Sequence, residues 1–340
     1  MNGERLQETW YGDREPGLLL SVLERVYGGV AAHRRSKAVP DPELVNLPIV
    51  VVGNITAGGT GKTPLVIRLC ELLKGEGVPV AVVSRGYGRR ERAPVRVGAD
   101  TSPAQGGDEP VLIARRCGVP VYVDADREAA ARAAFKAGAR VVLADDGLQR
   151  ASLPRIQELC VVDGRRGFGN GRLLPAGPLR EPLGRLERVD WLIRNGPAQS
   201  DEWLESVPEL QHPVVAMDLA PTGFARLEDG RWQDADPPPA GFADGVTAIA
   251  GMGNPDRFFD TLRSLGVRVA LRRPFPDHHT FVPEDFQGLE GPIVMTEKDA
   301  VKCADLAPAA WALRVEARLP ADWEEAWLAS IRAMLEELDS

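Results

Sequence analysis

Residues 48–64 read PIVVVGNITAGGTGKTP, an apolar run followed by a glycine-rich turn and a Lys-Thr pair. The apolar run has the composition of a buried strand, and a helical pattern begins at Lys62. A strand, a glycine turn, Lys-Thr and a helix in this order are the context of a Walker A phosphate-binding loop. Glycine lets backbone N–H groups converge on a phosphate, so the segment predicts a nucleotide triphosphate site.

The positions of this loop have distinct expected functions. Lys62 can reach the β- and γ-phosphates, and the Thr63 hydroxyl can ligate Mg²⁺. The strict motif has glycine where this chain has Thr56, and Ala57 stands where deviant Walker A ATPases carry lysine. A glycine-rich turn without a ligand is the alternative, but it leaves the Lys-Thr pair unexplained. The predicted nucleotide-binding residues are Thr56, Ala57, Gly58, Gly59, Thr60, Gly61, Lys62 and Thr63.

Outward from this loop, short apolar runs alternate with helical patterns. The predicted strands are residues 47–53, 78–84, 119–124, 140–146 and 159–163, with helices near 62–74, 109–117 and 127–137. Near-continuous Val, Ile and Leu without polar alternation indicate strands that are buried on both faces. We therefore expect an α/β, P-loop NTPase-like fold with a doubly wound, mostly parallel sheet.

The second half of the chain predicts a smaller α/β part. A Gly-, Pro- and Arg-rich stretch at 164–182 has no period and predicts a long functional loop. An Asp-Gly turn predicts a hairpin near 224–232. A second βαβ pattern follows, with strands at 245–253, 267–273 and 292–299, helices at 255–265 and 283–289, and a core-packing helix at 323–338. The expected domains are 1–40, 41–220 and 221–340.

Residues 18–30, LLLSVLERVYGGV, form an amphipathic helical pattern in the first of these domains. This stretch is too short for the roughly 20 apolar residues of a spanning helix. A basic cluster follows directly, as in helices that lie in a bilayer interface. The alternative is an amphipathic helix that packs its apolar stripe on the protein's own core. The apolar stripe is Leu19, Val22, Leu23, Val26, Tyr27 and Val30, and the basic cluster is His33, Arg34, Arg35 and Lys37.

Composition and charge exclude several classes of protein. The 340 residues are 44% hydrophobic and 26% charged, which is ordinary for a globular chain. A net charge of −8 argues against a protein that coats nucleic acid. The four cysteines lie far apart, and residues 1–16 are polar and unlike a signal peptide, so a reduced cytosolic setting is expected. Nothing in the sequence indicates an obligate protein partner.

Four further segments carry chemical groups. Asp145 and Asp146 end the strand at 140–146, at the sheet edge where ligands collect, which suits a Walker B group; an Asp-Gly turn is the alternative. Asp108 begins a helix and could simply be its N-cap. SRGYGRR at 84–90 offers guanidiniums and a ring to a phosphorylated or sugar ligand. PDHH at 276–279 places imidazoles beside a carboxylate, which suits acceptance of a hydroxyl proton.

In this order the motifs resemble the tetraacyldisaccharide 4′-kinase family of lipid A biosynthesis. The resemblance covers most of the chain: PIVVVGNITAGGTGKTP, SRGYGR, GGDEP, DDGLQ, LPAGPLREP, FPDHHTF and TEKDAVK. It implies transfer of the ATP γ-phosphoryl group to the 4′-hydroxyl of tetraacyldisaccharide 1-phosphate, a lipid substrate, at the cytoplasmic face of the inner membrane. The family's loops commonly lack the glycine that Thr56 replaces.

The resemblance also implies functions for single residues. Lys62 and Thr63 would hold the phosphates and Mg²⁺, with Asp145 and Asp146 beside the metal. Asp108 would pair with a histidine as the base; His278 is assigned and His279 remains possible. The other residues expected at the substrate site are Arg85, Tyr87, Gln149, Arg180, Glu181 and His279.

Two other functions remain open at this point. One is a soluble P-loop kinase of a small hydroxyl metabolite, which would not need an apolar stripe with a basic flank. The other is a nucleotide-switched chaperone or metal-delivery ATPase. The metal-delivery version predicts Cys or His ligands near the nucleotide, and the sequence has none at ligand spacing. Binding to vesicles separates the first of these from the lipid kinase.

Overall fold

The computed structural model describes residues 3–87, 89, 93–197 and 202–340. The strands of these residues are β1 (Ile49–Gly53), β2 (Val80–Ser84), β3 (Val95–Val97), β4 (Val121–Val123), β5 (Val141–Asp145), β6 (Gln157–Asp163), β7 (Trp191–Asn195), β8 (Val215–Arg226), β9 (Trp232–Asp234), β10 (Val246–Gly251), β11 (Val269–Phe275), β12 (Ile293–Thr296) and β13 (Trp311–Arg318). The α-helices are α1 (Gly3–Tyr11), α2 (Leu18–Ser36), α3 (Lys62–Gly75), α4 (Pro103–Gly106), α5 (Asp108–Cys117), α6 (Arg127–Lys136), α7 (Glu202–Glu205), α8 (Pro255–Ser264), α9 (Glu297–Cys303) and α10 (Ala321–Asp339).

The chain forms two compact units, and neither is contiguous in sequence. The first unit comprises Met1–Arg85, Asp124–Asp218 and Arg318–Ser340. The second comprises Gly86–Val123 and Leu219–Ala317.

The first unit is built on a parallel sheet with strand order β8-β7-β6-β1-β5-β2. Every residue of β1 is buried, which explains why this strand lacks polar alternation. Later strands lie on both sides of β1, with β5 and β2 on one side and β6, β7 and β8 on the other, which is the doubly wound arrangement. The predicted α/β fold with a mostly parallel sheet is therefore confirmed. Val52 pairs with Asp145, so the loop after β1 and the carboxylates after β5 leave the same edge of the sheet.

The second unit has its own parallel strands, in the order β11-β10-β12-β13. β8 and β9 form the expected hairpin, in which Phe224 pairs with Gln233. The expected helix at 283–289 is only a 3₁₀ turn, Pro283–Phe286. The strand expected at 292–299 ends at Thr296, because the Thr296 hydroxyl accepts a hydrogen bond from the Asp299 N–H and caps α9.

The units do not coincide with the linear domains expected from sequence. Residues 86–123 were expected in the 41–220 domain, whereas the structure groups them with the second unit. Within this segment β3 and β4 pair with each other, and α5 packs against α9. Residues 86–123 pack with residues that come much later in the chain, and no change in composition marks their ends in the sequence.

The two terminal helices bury different fractions of their surfaces. α10 buries Trp323, Trp327 and Ile331, as expected of a core-packing helix, although Leu338 at its end is exposed. α2, described over all of Leu18–Ser36, buries none of its residues. Among the described residues, no helix has the length and apolar character needed to cross a membrane.

Candidate active site

The loop between β1 and α3 has the backbone that a phosphate-binding loop requires. Gly58 and Gly61 adopt φ values of 108° and 94°, which a side chain would strain. A Cβ on Gly61 would lie 2.2 Å from the amide nitrogen of Asn195. That Asn195 amide donates a hydrogen bond to the Thr60 carbonyl at 2.8 Å. Glycine is therefore required at position 61 by both conformation and space.

Two asparagines and a proline carbonyl support this loop, and sequence reasoning did not single them out. The Asn54 amide donates to the Gly58 carbonyl and the Thr60 hydroxyl, both at 3.3 Å. The Ala57 N–H donates to the Pro178 carbonyl at 2.7 Å. Pro178 belongs to the stretch 164–182, so this predicted functional loop holds the phosphate-binding loop in place.

Asp146 lies between two cations beside the loop. Its carboxylate is 3.5 Å from the Lys62 ammonium and 3.0 Å from the Arg180 guanidinium. Burial raises the pKa of Asp146, but Lys62 and then Arg180 outweigh it and hold the pKa at about 2. The neighbouring Asp145 is buried, and the Ser84 hydroxyl donates to its carboxylate at 3.4 Å. The Asp146 carboxylate therefore lies beside the loop and is ionised, while the Asp145 carboxylate faces the end of β2.

Gln149 and Glu181 lie against the start of the same loop. The Gln149 amide donates to the Asn54 carbonyl at 2.8 Å and to the Glu181 carboxylate at 2.9 Å. Glu181 is buried and forms ion pairs with Arg35 at 2.7 Å and Arg185 at 3.4 Å. These contacts connect both predicted residues to the backbone at which the loop begins.

The oxygen groups beside the loop fit a magnesium ion. Asp145 and Asp146 supply carboxylates and Thr63, in the first turn of α3, supplies a hydroxyl, which are the hard ligands that Mg²⁺ takes. Over residues 3–87, 89, 93–197 and 202–340, no group of three His, Cys, Asp or Glu side chains could hold a metal ion. Mg²⁺ usually keeps waters and substrate phosphates as ligands, so a partial set of protein ligands suffices.

In the second unit, Asp108 and His278 form a direct contact. Nδ1 of His278 lies 3.1 Å from the Asp108 carboxylate, which is buried at the start of α5. Gly107, not Asp108, occupies the N-cap position, so the simple capping interpretation does not hold. Burial raises the pKa of Asp108, but the His278 hydrogen bond and then Lys298 lower it overall. Asp108 is therefore a carboxylate that orients an imidazole.

The two adjacent histidines have different partners. His278 has a φ of 59° and packs its ring 4.6 Å from that of Tyr87, measured between centroids. His279 Nε2 lies 2.9 Å from the Asp285 carboxylate, and its ring stacks on Phe275 at 4.5 Å. His278 is thus the histidine that pairs with Asp108, while His279 is held among aromatic rings.

Lys298 and Lys302 of α9 complete this cluster, and the sequence analysis gave them no function. Lys298 Nζ lies 2.9 Å from the Glu109 carboxylate, and Lys302 Nζ lies 3.9 Å from that of Asp108. The signal was present in TEKDAVK, because lysines four residues apart share one face of a helix.

The predicted substrate loop at 84–90 is only partly described. Arg85 and Tyr87 are both exposed. Gly88 and Arg90, which the sequence analysis included in this loop, lie outside the described residues.

A phosphate-binding loop at the carboxyl edge of a parallel sheet, with the ionised Asp146 carboxylate beside Lys62, defines a P-loop nucleotide-binding protein. The chain belongs to the LpxK family, described as tetraacyldisaccharide-1-P 4'-kinase, whose family model matches residues 17–332.

Known proteins resemble the chain over nearly its whole length. A tetraacyldisaccharide 4'-kinase of Alkalilimnicola ehrlichii is 50% identical over 307 residues, covering 88% of each chain. One of Halorhodospira halophila is 46% identical and covers 90% of each chain. A crystal structure of the "apo" form of LpxK from Aquifex aeolicus in complex with ATP has a TM-score of 0.72 and 27% sequence identity to this chain. It covers 92% of this chain and 97% of that one.

Proposed function

We propose that this chain transfers the γ-phosphoryl group of ATP to the 4′-hydroxyl of tetraacyldisaccharide 1-phosphate, giving lipid IVA. The observation that carries the proposal is the 50% identity to a tetraacyldisaccharide 4'-kinase over 88% of both chains. The geometry of the P-loop and of the Asp108–His278 pair supports it, since phosphoryl transfer needs a nucleotide site and a base.

ATP is proposed to bind with its phosphates along residues 56–63. Lys62 would neutralise the β- and γ-phosphates, and backbone N–H groups at the start of α3 would add hydrogen bonds. Thr63, Asp145 and Asp146 would hold Mg²⁺, which neutralises charge that develops on the transferred group. Asp146 is suited to this because its pKa of about 2 keeps it ionised at neutral pH.

Asp108 and His278 are proposed to act on the acceptor. A sugar hydroxyl is a weak nucleophile at neutral pH, and a base contributes roughly 10²–10⁴-fold. The hydroxyl oxygen forms a bond to the γ-phosphorus, the bond to the bridging oxygen of ADP breaks, and the hydroxyl proton passes to His278 Nε2. Asp108 accepts the hydrogen bond from Nδ1 and stabilises the imidazolium that results.

The remaining predicted substrate residues fall into two groups. Arg85 and Tyr87 are exposed and are proposed to contact the phosphorylated sugar. Gln149, Arg180 and Glu181 are proposed to act through the loop that they support. His279 is proposed to shape the substrate site from its place on Phe275.

We also propose that the protein binds peripherally to the cytoplasmic face of the inner membrane through α2. Leu19 and Val26 are 72% and 59% exposed, so the apolar stripe faces away from the body of the first unit. Polar contacts attach the other side of the helix, since Glu24 pairs with Arg172 at 2.6 Å. Tyr27, which the sequence placed in the apolar stripe, is half-buried and donates a hydrogen bond to the Arg180 carbonyl. An interfacial helix has this division of faces.

The test of the catalytic function is incubation with γ-labelled ATP, Mg²⁺ and tetraacyldisaccharide 1-phosphate in mixed micelles. The expected product is a labelled lipid whose phosphate is on the 4′-oxygen. Label that appears only in inorganic phosphate would indicate a nucleotide-switched ATPase instead. Label in a small water-soluble hydroxyl compound, but not in the lipid, would indicate a soluble kinase.

A further inference from the structure

Lys298 contacts several of the charged groups around His278. Its ammonium lies 2.9 Å from both the Glu109 and the Asp277 carboxylates. It also lies 3.4 Å from His278 Nε2, the ring nitrogen that does not face Asp108. The proposed kinase mechanism requires that this nitrogen carry no proton before transfer.

Resting on that proposed function, we propose that Lys298 is a positioning residue that favours the neutral form of His278, with its proton on Nδ1 and its lone pair on Nε2. The Asp108 carboxylate accepts only, so the Nδ1 that faces it carries the hydrogen. The ammonium of Lys298 donates only, so the Nε2 that faces it presents a lone pair. Together these two groups select a single tautomer of the imidazole.

The charge of Lys298 acts in the same direction. An imidazolium would stand about one ion-pair distance from the ammonium, and two like charges so close repel. Lys298 is itself held charged, because carboxylates led by Glu109 outweigh burial and raise its pKa. Burial lowers the pKa of His278 while the hydrogen bond to Asp108 raises it overall, and Lys298 opposes that rise. Removal of the ammonium should therefore raise the pKa of His278 further.

Lys302 lies on the same helix as Lys298 but makes different contacts. Lys302 binds Asp299 of its own helix at 3.0 Å and the His279 carbonyl at 3.1 Å. Its contact with the Asp108–His278 pair is with the Asp108 carboxylate, at 3.9 Å. In the part of the chain that the structure describes, the titratable and charged groups around His278 are Tyr87, Asp108, Glu109, Asp277, Lys298 and Lys302.

The first experiment measures kcat/KM for the lipid against pH in Lys298→Gln, Lys298→Met and Lys298→Arg, with Lys136→Gln as a control at an exposed lysine of α6. Lys298→Gln and Lys298→Met should move the acid limb to higher pH by about one pH unit. Lys298→Arg should leave the limb near that of the parent, since it retains a cation. KM for ATP should be unchanged in all four variants. Two neutral replacements of different polarity allow the test to proceed if one of them folds poorly.

The second experiment needs no turnover. The four histidines allow the imidazole nitrogens of His278 to be followed by NMR against pH, with His278→Asn used for assignment. The midpoint for His278 should rise in Lys298→Gln by the same amount as the kinetic limb. An unmoved midpoint and limb in a folded variant would overturn the proposal for Lys298 while leaving the kinase function standing. Absence of lipid phosphorylation by the parent protein would instead overturn the kinase function, and the NMR midpoint would still report on Lys298.

Discussion

The guanidinium of Arg35 lies 2.7 Å from the carboxylate of Glu181 and ties the exposed helix α2 to the support of the phosphate-binding loop. The same carboxylate accepts a hydrogen bond from Gln149, which also donates to the Asn54 carbonyl where the loop begins. A helix with no buried residue is thus linked through two side chains to the backbone that is proposed to bind ATP.

Loss of this ion pair should weaken ATP binding modestly. Arg35→Gln leaves Glu181 with Arg185 and Gln149 as partners, and Arg35 is itself partly exposed, so the cost is about 0.5–1 kcal/mol. We expect KM for ATP to rise about two- to fivefold while kcat changes little. Arg34→Gln, one residue away and exposed, is the matched control. Equal effects of the two substitutions would show that the Arg35–Glu181 pair does not support the loop.

Removal of either member of the Asp108–His278 pair should lower kcat strongly. Asp108→Asn and His278→Asn are each expected to reduce kcat by about 10²–10⁴-fold, because the first removes the carboxylate that holds the base and the second removes the base itself. ATP binding should stay within about twofold of the parent. The measurements are lipid phosphorylation and binding of a fluorescent ATP analogue. Asp244→Asn, at an exposed acid of the second unit, controls for loss of one carboxylate. Full activity in either variant would remove that residue from the mechanism.

A methyl group at position 61 should disrupt the loop. Gly61→Ala places a Cβ 2.2 Å from the Asn195 amide at a φ of 94°, so we expect a loss of about 1–3 kcal/mol in unfolding free energy and loss of ATP binding. Gly75→Ala at the end of α3 meets no atom within 4 Å and should leave the stability unchanged or slightly higher. Denaturant unfolding of both variants provides the comparison, and equal stabilities would contradict the geometry at Gly61.

Charges placed on the apolar stripe of α2 should prevent binding to vesicles without unfolding the protein. Leu19→Glu with Val26→Glu changes two side chains that are 72% and 59% exposed, so the melting temperature should stay within about 2 °C. Each lost apolar contact with lipid is worth about 1.5–3 kcal/mol, so vesicle affinity should fall at least tenfold. Ala32→Glu puts the same charge elsewhere on the helix and serves as the control in sedimentation with anionic vesicles. Undiminished sedimentation of the double variant would exclude α2 as the membrane contact.

The Asp146 carboxylate should make stability depend on pH in the acid range. Its pKa of about 2 in the folded protein is below the ordinary value of 3.8, so its contribution is present above about pH 4 and is lost as pH falls toward 2. Asp146→Asn should therefore be less stable than the parent at pH 6, and the difference should shrink as pH is lowered from 5 to 3. Thermal unfolding across this range gives the measurement. A difference that is independent of pH would mean that Lys62 and Arg180 do not stabilise the charged form.

The strands that flank the phosphate-binding loop were predictable because they are fully buried and almost uniformly apolar. β3 was not predicted, since it has only three residues and Arg96 at its centre is exposed. β13 was missed because Arg314 and Glu316 interrupt its apolar residues. Short or half-exposed strands gain their structure from neighbours that are distant in sequence, and local composition does not report those neighbours.

The residues of the candidate site also fall into those that the sequence predicts and those that only the fold reveals. Lys62 and Thr63 follow from a local motif, whereas the pairing of Asp108 with a histidine was implied only by the resemblance to the kinase family. Which histidine faces Asp108 does not follow, because adjacent side chains diverge and only the fold selects His278. Asn54 and Asn195 were missed for a related reason, since the function of a single polar residue depends on the groups that surround it in the fold.

The attachment of α2 by polar contacts also determines which of its positions tolerate exchange. Since no residue of Leu18–Ser36 is buried, Leu19, Val22 and Val26 are free of the volume and shape constraints that govern interior side chains. Any apolar residue of good helix propensity serves equally well there. In a saturation library, the strict positions of this helix would be Glu24 and Arg35, whose carboxylate and guanidinium have fixed counterparts.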